Sequence, residues 1–222
     1  MEDNLAHRLS APHLGPRPQA ERSASTRAKL IAATIKCLHR FGYSATTVSL
    51  VADVAKVSRG AMTHQFPTKL DLMLAVVRRI ADDELVQYKR QYKAAKNPRE
   101  AFFLLPHSMW KILSRPSGMA VTEIMMASRS DPALAKALAP IQMEGERSSR
   151  EYVAQMLSAA KIEPRRDGLA LNRVFQAVIR GLAINALFTH DQQEITAPLN
   201  ALETILRLLY GDTPLDGGSK ST

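Results

Sequence analysis

The chain has 222 residues, 45% of them hydrophobic, and carries 30 Lys/Arg against 21 Asp/Glu for a formal net charge of +9. That length holds one large or two small domains with a substantial core, and the basic balance favours polyanionic partners such as nucleic acid. A single cysteine, Cys37, excludes an internal disulfide and any cysteine-cluster metal site.

One thiol fits a reducing cytoplasm. The N-terminal stretch has no apolar signal segment, so no secretory leader is expected. The longest apolar run, Leu72–Val77, has six residues, far short of the ~20 that span a bilayer, so no membrane partner is expected. The six histidines form no metal-ligand pair at helical spacing. No nucleophile–base constellation and no phosphate loop is visible either, so neither an enzyme nor a metal or other cofactor is expected. Residues 24–84 hold nine Lys/Arg against five Asp/Glu, about twice the positive excess per residue of the rest.

In chain order, residues 1–23 hold three prolines and no periodicity and read as a flexible arm. From Ser25 the pattern is helical throughout, with almost no alternating strand signal. A first helix is expected over about Thr26–Phe41, its apolar face formed by Leu30, Ala33, Thr34, Cys37, Leu38 and Phe41. Cys37 falls on this inner face, where a small buried residue is expected rather than a redox thiolate. Gly42 ends the helix. Short helices follow at about Val48–Val54 and from Ser58 to about His64, with a break at Ala55–Val57. Thr68 caps a longer helix reaching about Lys93, with Asp71 in its first turn. Further helices are expected at about 99–114, 117–128, 132–161, 167–189 and 195–210, with Pro106 and Pro140 as places for a kink or split. The segment 211–222 reads as a disordered tail.

Two short helices joined by a tight turn form a helix-turn-helix between Thr47 and Phe66. Small residues at the helix contact (Ala52, Ala55, Ala61) permit a steep crossing. Val48, Val51, Val57, Met62 and Phe66 anchor the pair to supporting helices. Arg59, Gly60, Thr63 and His64 are left to face outward, where a guanidinium can pair with a guanine edge.

These residues carry a resemblance. The stretch from Thr26 through Phe41-Gly42-Tyr43…Thr46-Thr47, Val57-Ser58-Arg59-Gly60 and His64-x-Phe66-x-x-Lys69 resembles the DNA-binding head of the tetracycline-repressor-like (TetR) family. The resemblance implies an all-α protein of about nine helices. A three-helix helix-turn-helix head (24–84) would join through a long helix to a ligand-binding and dimerisation body (85–210). It implies a transcriptional regulator, most often a repressor, released from a near-palindromic DNA operator by a largely apolar small molecule. It implies that Ser58 and Arg59 open the recognition helix, that Arg59 and Thr63 reach bases, and that Thr47, His64 and Lys69 touch phosphates. Two residues depart from the family pattern. Lys56 stands where a glycine is usual, at a position that needs positive φ, and is either solvated or a phosphate contact. Thr63 stands where a tyrosine is common.

The resemblance also implies a ligand pocket in the body, for which Phe103, His107, Trp110, Glu123, Met126, Phe175 and Asn185 are the expected residues; the apolar, Met-rich cluster there is either the wall of that pocket or an ordinary core. The apolar helices at 167–189 and 195–210 suit either a buried hairpin within the chain or a homodimer through a four-helix bundle, and the resemblance implies the homodimer. The alternative is a helical adaptor that keeps the head without DNA binding.

Overall fold

The structure, a computed structural model, describes residues 19–189 and 191–211. Most of the expected arm, nearly all of the expected tail and His190 lie outside the described residues. The described chain is all-helical and without strands. Its helices are α1 (Gln19–Ala45), α2 (Val48–Ala55), α3 (Arg59–Gln65), α4 (Lys69–Ala94), α5 (Pro98–Phe103), α6 (Leu105–Leu113), α7 (Pro116–Ser128), α8 (Pro132–Ala160), α9 (Gly168–Asn185) and α10 (Gln193–Leu209).

Ten helices replace the expected nine because the segment 99–114 divides at Leu104. Pro106 sits in the first turn of α6, where its missing N–H leaves no helical bond unmade. Pro140, the other expected break, lies inside an unbroken α8, and Pro198 inside α10. Residues 19–23, expected in the arm, begin α1. Between α6 and α7 the backbone approaches itself so closely that a Cβ at Gly118 would collide with the Leu113 carbonyl.

Two apolar cores organise these helices. The first gathers Leu30, Cys37 and Leu38 of α1, Val51 and Ala52 of α2, Met62 of α3 and Leu72, Met73 and Val76 of α4 around Phe66. It does not stop at the head: Ala120 and Ile124 of α7 and Leu134 and Leu138 of α8 belong to it. Cys37 is buried there, and burial pushes its thiol up, away from the reactive thiolate. The second core joins Phe102 and Phe103 of α5, Met156 and Leu157 of α8, Phe175 and Ile179 of α9 and Leu199, Leu202 and Leu206 of α10. Helix α4 spans both, with a capping box of Thr68 and Asp71 at its start and Tyr88 and Tyr92 against the second core near its end.

On α4, Glu84 is half-buried. Loss of hydration pushes its carboxyl up to about 7, against the opposing pull of Arg180. Between its ordinary value of 4.5 and about 7 the folded chain keeps a proton that the unfolded chain has released. The contribution of this group to stability is therefore intact below pH 4.5 and lost as pH rises through 7. Glu84→Gln removes that loss. Urea unfolding is expected to show the variant more stable than the parent at pH 8.5 by on the order of 2 kcal/mol, and little changed at pH 4.5; equal stabilities at both pH values would refute the burial argument.

Candidate nucleic-acid interface

The turn before the motif begins at Gly42, whose φ of 74° breaks α1. A side chain there would be strained in the left-handed region and would press on Glu123 Oε2, 3.2 Å from a built Cβ. The next residue is held from both sides. The Tyr43 N–H donates to Glu123 Oε2 at 3.0 Å, and the Tyr43 carbonyl accepts from Lys69 Nζ at 2.7 Å. Lys69 also sits over the Tyr43 ring, 4.0 Å from its centre. Burial lowers the Lys69 ammonium, and the charge of Asp131 at the start of α8 acts in the opposite direction.

From this corner the chain enters two capped helices. Thr47 accepts the Leu50 N–H at 3.2 Å to start α2, and Ser58 accepts the Ala61 N–H at 3.3 Å to start α3. The turn between them passes through Lys56 in the left-handed conformation, φ 55° and ψ 47°, with its N–H bonded to the last turn of α2. This is the positive φ the sequence led one to expect, adopted by a lysine at a cost of roughly 1 kcal/mol. Val51, Ala52, Met62 and Phe66 are buried as anchors, while Ala55, Ala61, Val48 and Val57 are half-buried between the helices. The far end of α3 is tied to α1 by side chains that the sequence pattern did not single out. Gln65 Nε2 donates to Ser23 Oγ at 2.7 Å, and the Arg27 guanidinium stacks over Phe66 at 4.4 Å.

The outward face of α3 carries Arg59, Gly60, Thr63 and His64, all exposed. Arg59 and His64 make no side-chain bond among the described residues. The Thr63 hydroxyl donates to the Arg59 carbonyl at 3.1 Å and keeps its acceptor side free. Nothing lies within 4 Å of a Cβ built on Gly60, and its φ is not positive. The fold therefore has no use for a glycine here, although glycine in a helix costs roughly 0.5–1 kcal/mol relative to alanine. Thr47 and Ser58 are exposed beside this face. Lys69 is not among its exposed residues: it is half-buried, and its ammonium is committed to Tyr43 within the protein.

The seven expected pocket residues fall in several different places, and two of them line separate hollows, one in each. His107 lines one, of about 410 Å³, between α4, α5, α6 and α8. Phe103 and Phe175 are packed inside the second core, with Trp110 against it. Glu123 is engaged at the Tyr43 corner, Met126 is 63% exposed on α7, and Asn185 lines a different hollow at the end of α9. The rotation of α6 and α7 decides this, and an apolar helix face does not announce whether a core or a cavity lies opposite. Among the described residues no group of three or more His, Cys, Asp or Glu side chains is placed to hold a metal ion, and no helix is long and apolar enough to cross a membrane.

A short capped helix packed on two supporting helices, with a polar outward face and a helical body behind it, defines a helix-turn-helix DNA-binding protein. Residues 30–76 match the profile of bacterial regulatory proteins of the tetR family. The chain is 31% identical over 199 residues to the HTH-type transcriptional regulator CymR of Pseudomonas putida, covering 87% of this chain and 95% of that one. It is 27% identical over 188 residues to the HTH-type transcriptional repressor KstR of Rhodococcus jostii strain RHA1, covering 84% and 83% respectively. The fold is similar, with a TM-score of 0.64 at 15% identity over 83% of this chain and 96% of the other, to a transcriptional regulator from Saccharomonospora viridis in complex with choline. The chain belongs to the TetR family. It is a helix-turn-helix transcriptional regulator of the kind that is typically a repressor with a ligand-binding C-terminal domain.

The corner geometry makes Glu123 a structural tie between α7 and the head. Glu123→Ala is expected to lower the stability of the chain by about 1.5–3 kcal/mol in denaturant unfolding, the worth of a charge-assisted hydrogen bond. Glu123→Gln, whose amide oxygen still accepts, is expected to lose clearly less.

Proposed function

We propose that this chain represses transcription by occupying a near-palindromic operator as a homodimer, with α3 of each copy in the major groove. The observation that carries this is the outward face of α3: exposed, polar, unencumbered by partners at Arg59 and His64, and opened at Gly60 for close approach of a DNA backbone. Arg59 and Thr63 read base edges. Thr47, Ser58 and His64 contact phosphates that set register. Lys69 serves the interface indirectly, by holding the corner from which α2 starts.

The homodimer is supported by the outer faces of α9 and α10. These helices are apolar on both sides. Leu182, Leu202 and Leu206 turn into the second core. Val174, Val178 and Ile184 on α9 and Ile205 and Leu208 on α10 remain exposed. They stand at three-, four- and six-residue steps with Ala177, Gly181, Ala201 and Thr204, which are exposed on the same faces. Nothing surrounds Gly181, which leaves room for a partner helix to approach closely. A small molecule bound in the body then favours an arrangement of the two heads that no longer matches adjacent half-sites, which requires different affinities for the two arrangements. The choline complex of the Saccharomonospora viridis relative supports a ligand-sensing body. The protein acts in the cytoplasm, with the DNA.

A mobility-shift titration against the DNA upstream of its own gene tests the regulator reading. A shift is expected at low salt and is expected to weaken steeply as salt rises; no shift with any genomic fragment would sink it and leave the adaptor. Arg59→Ala is expected to cost about 1–3 kcal/mol of preference for operator over random DNA, and an unchanged preference would remove Arg59 from base reading. Gly60→Ala is expected to stabilise the fold by roughly 0.5–1 kcal/mol while weakening the shift. Val178→Glu is expected to convert the dimer to a monomer in sedimentation velocity; a persistent dimer would place the interface elsewhere.

A further inference from the structure

The cavity of about 410 Å³ that His107 lines has a distinctive chemistry, and its volume is within the usual range for small-molecule sites. Its floor is apolar, with Ala101 of α5 and Met156 of α8 both buried. Its walls include three tyrosines, Tyr88 and Tyr92 of α4 and Tyr152 of α8. The Tyr88 and Tyr152 rings stand 5.7 Å apart, and the Tyr152 hydroxyl donates to the Tyr88 carbonyl at 3.1 Å. Burial pushes both phenols up, Tyr152 to about 12, so these walls bear no negative charge near neutrality. The three phenols add apolar ring surface to the lining.

The one full cation of the lining is Lys111, exposed on α6 at the rim, and no lining residue is acidic. Lys111 has no carboxylate within ion-pair distance among the described residues. The nearest carboxylates are already engaged. Glu203 of α10 accepts the His107 Nε2–H at 3.0 Å and Arg207 at 2.9 Å, and Glu100 accepts Arg207 at 3.0 Å. Glu84, one turn of α4 from Tyr88, is pushed up to about 7 and faces Arg180. An ammonium ligand would find no counter-charge in the walls. A carboxylate ligand would find Lys111, with the Ser108 hydroxyl one turn away on α6, while the Gln91 amide in the same lining donates to the Ser108 carbonyl at 3.5 Å.

We propose that this cavity binds a small monoanion with a compact apolar body, its acid group at Lys111 and its body between the tyrosine rings. The proposal deepens the reading of the C-terminal helices as a ligand-sensing body and rests on it. The His107–Glu203 bond gives occupancy a route out of the site, because it joins the cavity wall on α6 to α10, where Ile205 and Leu208 are exposed.

The test uses three probes of one shape and different charge, 3-phenylpropionate, 3-phenylpropan-1-ol and 3-phenylpropylammonium, titrated into the full chain by calorimetry at low salt. The carboxylate is expected to bind about tenfold more tightly than the alcohol, and the ammonium most weakly. Lys111→Met, a change at an exposed position, is expected to bring carboxylate and alcohol within about twofold of each other while leaving the alcohol's affinity unchanged. Equal or stronger binding of the alcohol or ammonium overturns the proposal, as does a carboxylate preference that survives Lys111→Met, or no binding by any of the three. The same preparation is assayed for DNA binding in parallel. Loss of the charge preference with DNA binding intact refutes the ligand class alone, whereas failure to bind DNA strikes the regulator reading and not the cavity.

Discussion

The backbone of Tyr43 is gripped by two helices that are distant from it in sequence. Glu123 of α7 takes its N–H and Lys69 of α4 takes its carbonyl. Immediately before it the chain turns through Gly42, and immediately after it Thr46 closes back onto Gly42 with a 2.7 Å bond from its hydroxyl. The direction in which α2 leaves α1 depends on this corner, and the presentation of α3 depends on α2. A positive charge, a negative charge and one glycine thus orient the polar face that meets DNA. The same bonds tie that face to the body, since Glu123 belongs to a helix beyond the head.

The first core explains why the tie is stiff. It runs without interruption from Leu30 and Leu38 in α1 to Ile124 in α7 and Leu138 in α8. Interiors packed at this density shift between discrete arrangements rather than deforming smoothly. A change in the body that moves α7 therefore bears directly on the corner that Glu123 holds. Helix α4 provides a second mechanical link, rooted at the corner through Lys69 and reaching the second core and the tyrosine-walled cavity at its far end.

The motif was legible because its demands are local. Caps at Thr47, Ser58 and Thr68 each need one hydroxyl at one position, and each of the three accepts an N–H from the first turn of its helix. The positive φ at Lys56 follows from the tightness of a turn between two short helices, whichever residue occupies it. The ligand-pocket residues were not legible in the same way. Phe103, Trp110 and Phe175 are apolar residues on apolar faces, and such a face serves a core and a cavity equally well. The tyrosines at 88 and 92, one turn apart on α4, were the available signal, since a phenol needs somewhere for its hydroxyl to go. Glu123 and Lys69 were marked as residues with chemistry to perform; their partner, a backbone segment 80 and 26 positions away, could not be seen from either.

By itself the sequence determined the helical class, the bounds of α2, α3 and α4 to within a residue or two, the capped motif and its outward polar face, because periodicity, capping and turn geometry act over a handful of neighbouring residues. Only the tertiary structure decided that the helix expected at 99–114 divides at Leu104, that Lys69 turns inward to Tyr43, that Glu123 serves the head, and that the cavity is walled by tyrosines with a lysine at its rim. Those outcomes depend on which faces of distant helices meet. Pairings of that kind are selected by the packing of the whole chain and leave no mark in the spacing of any one segment.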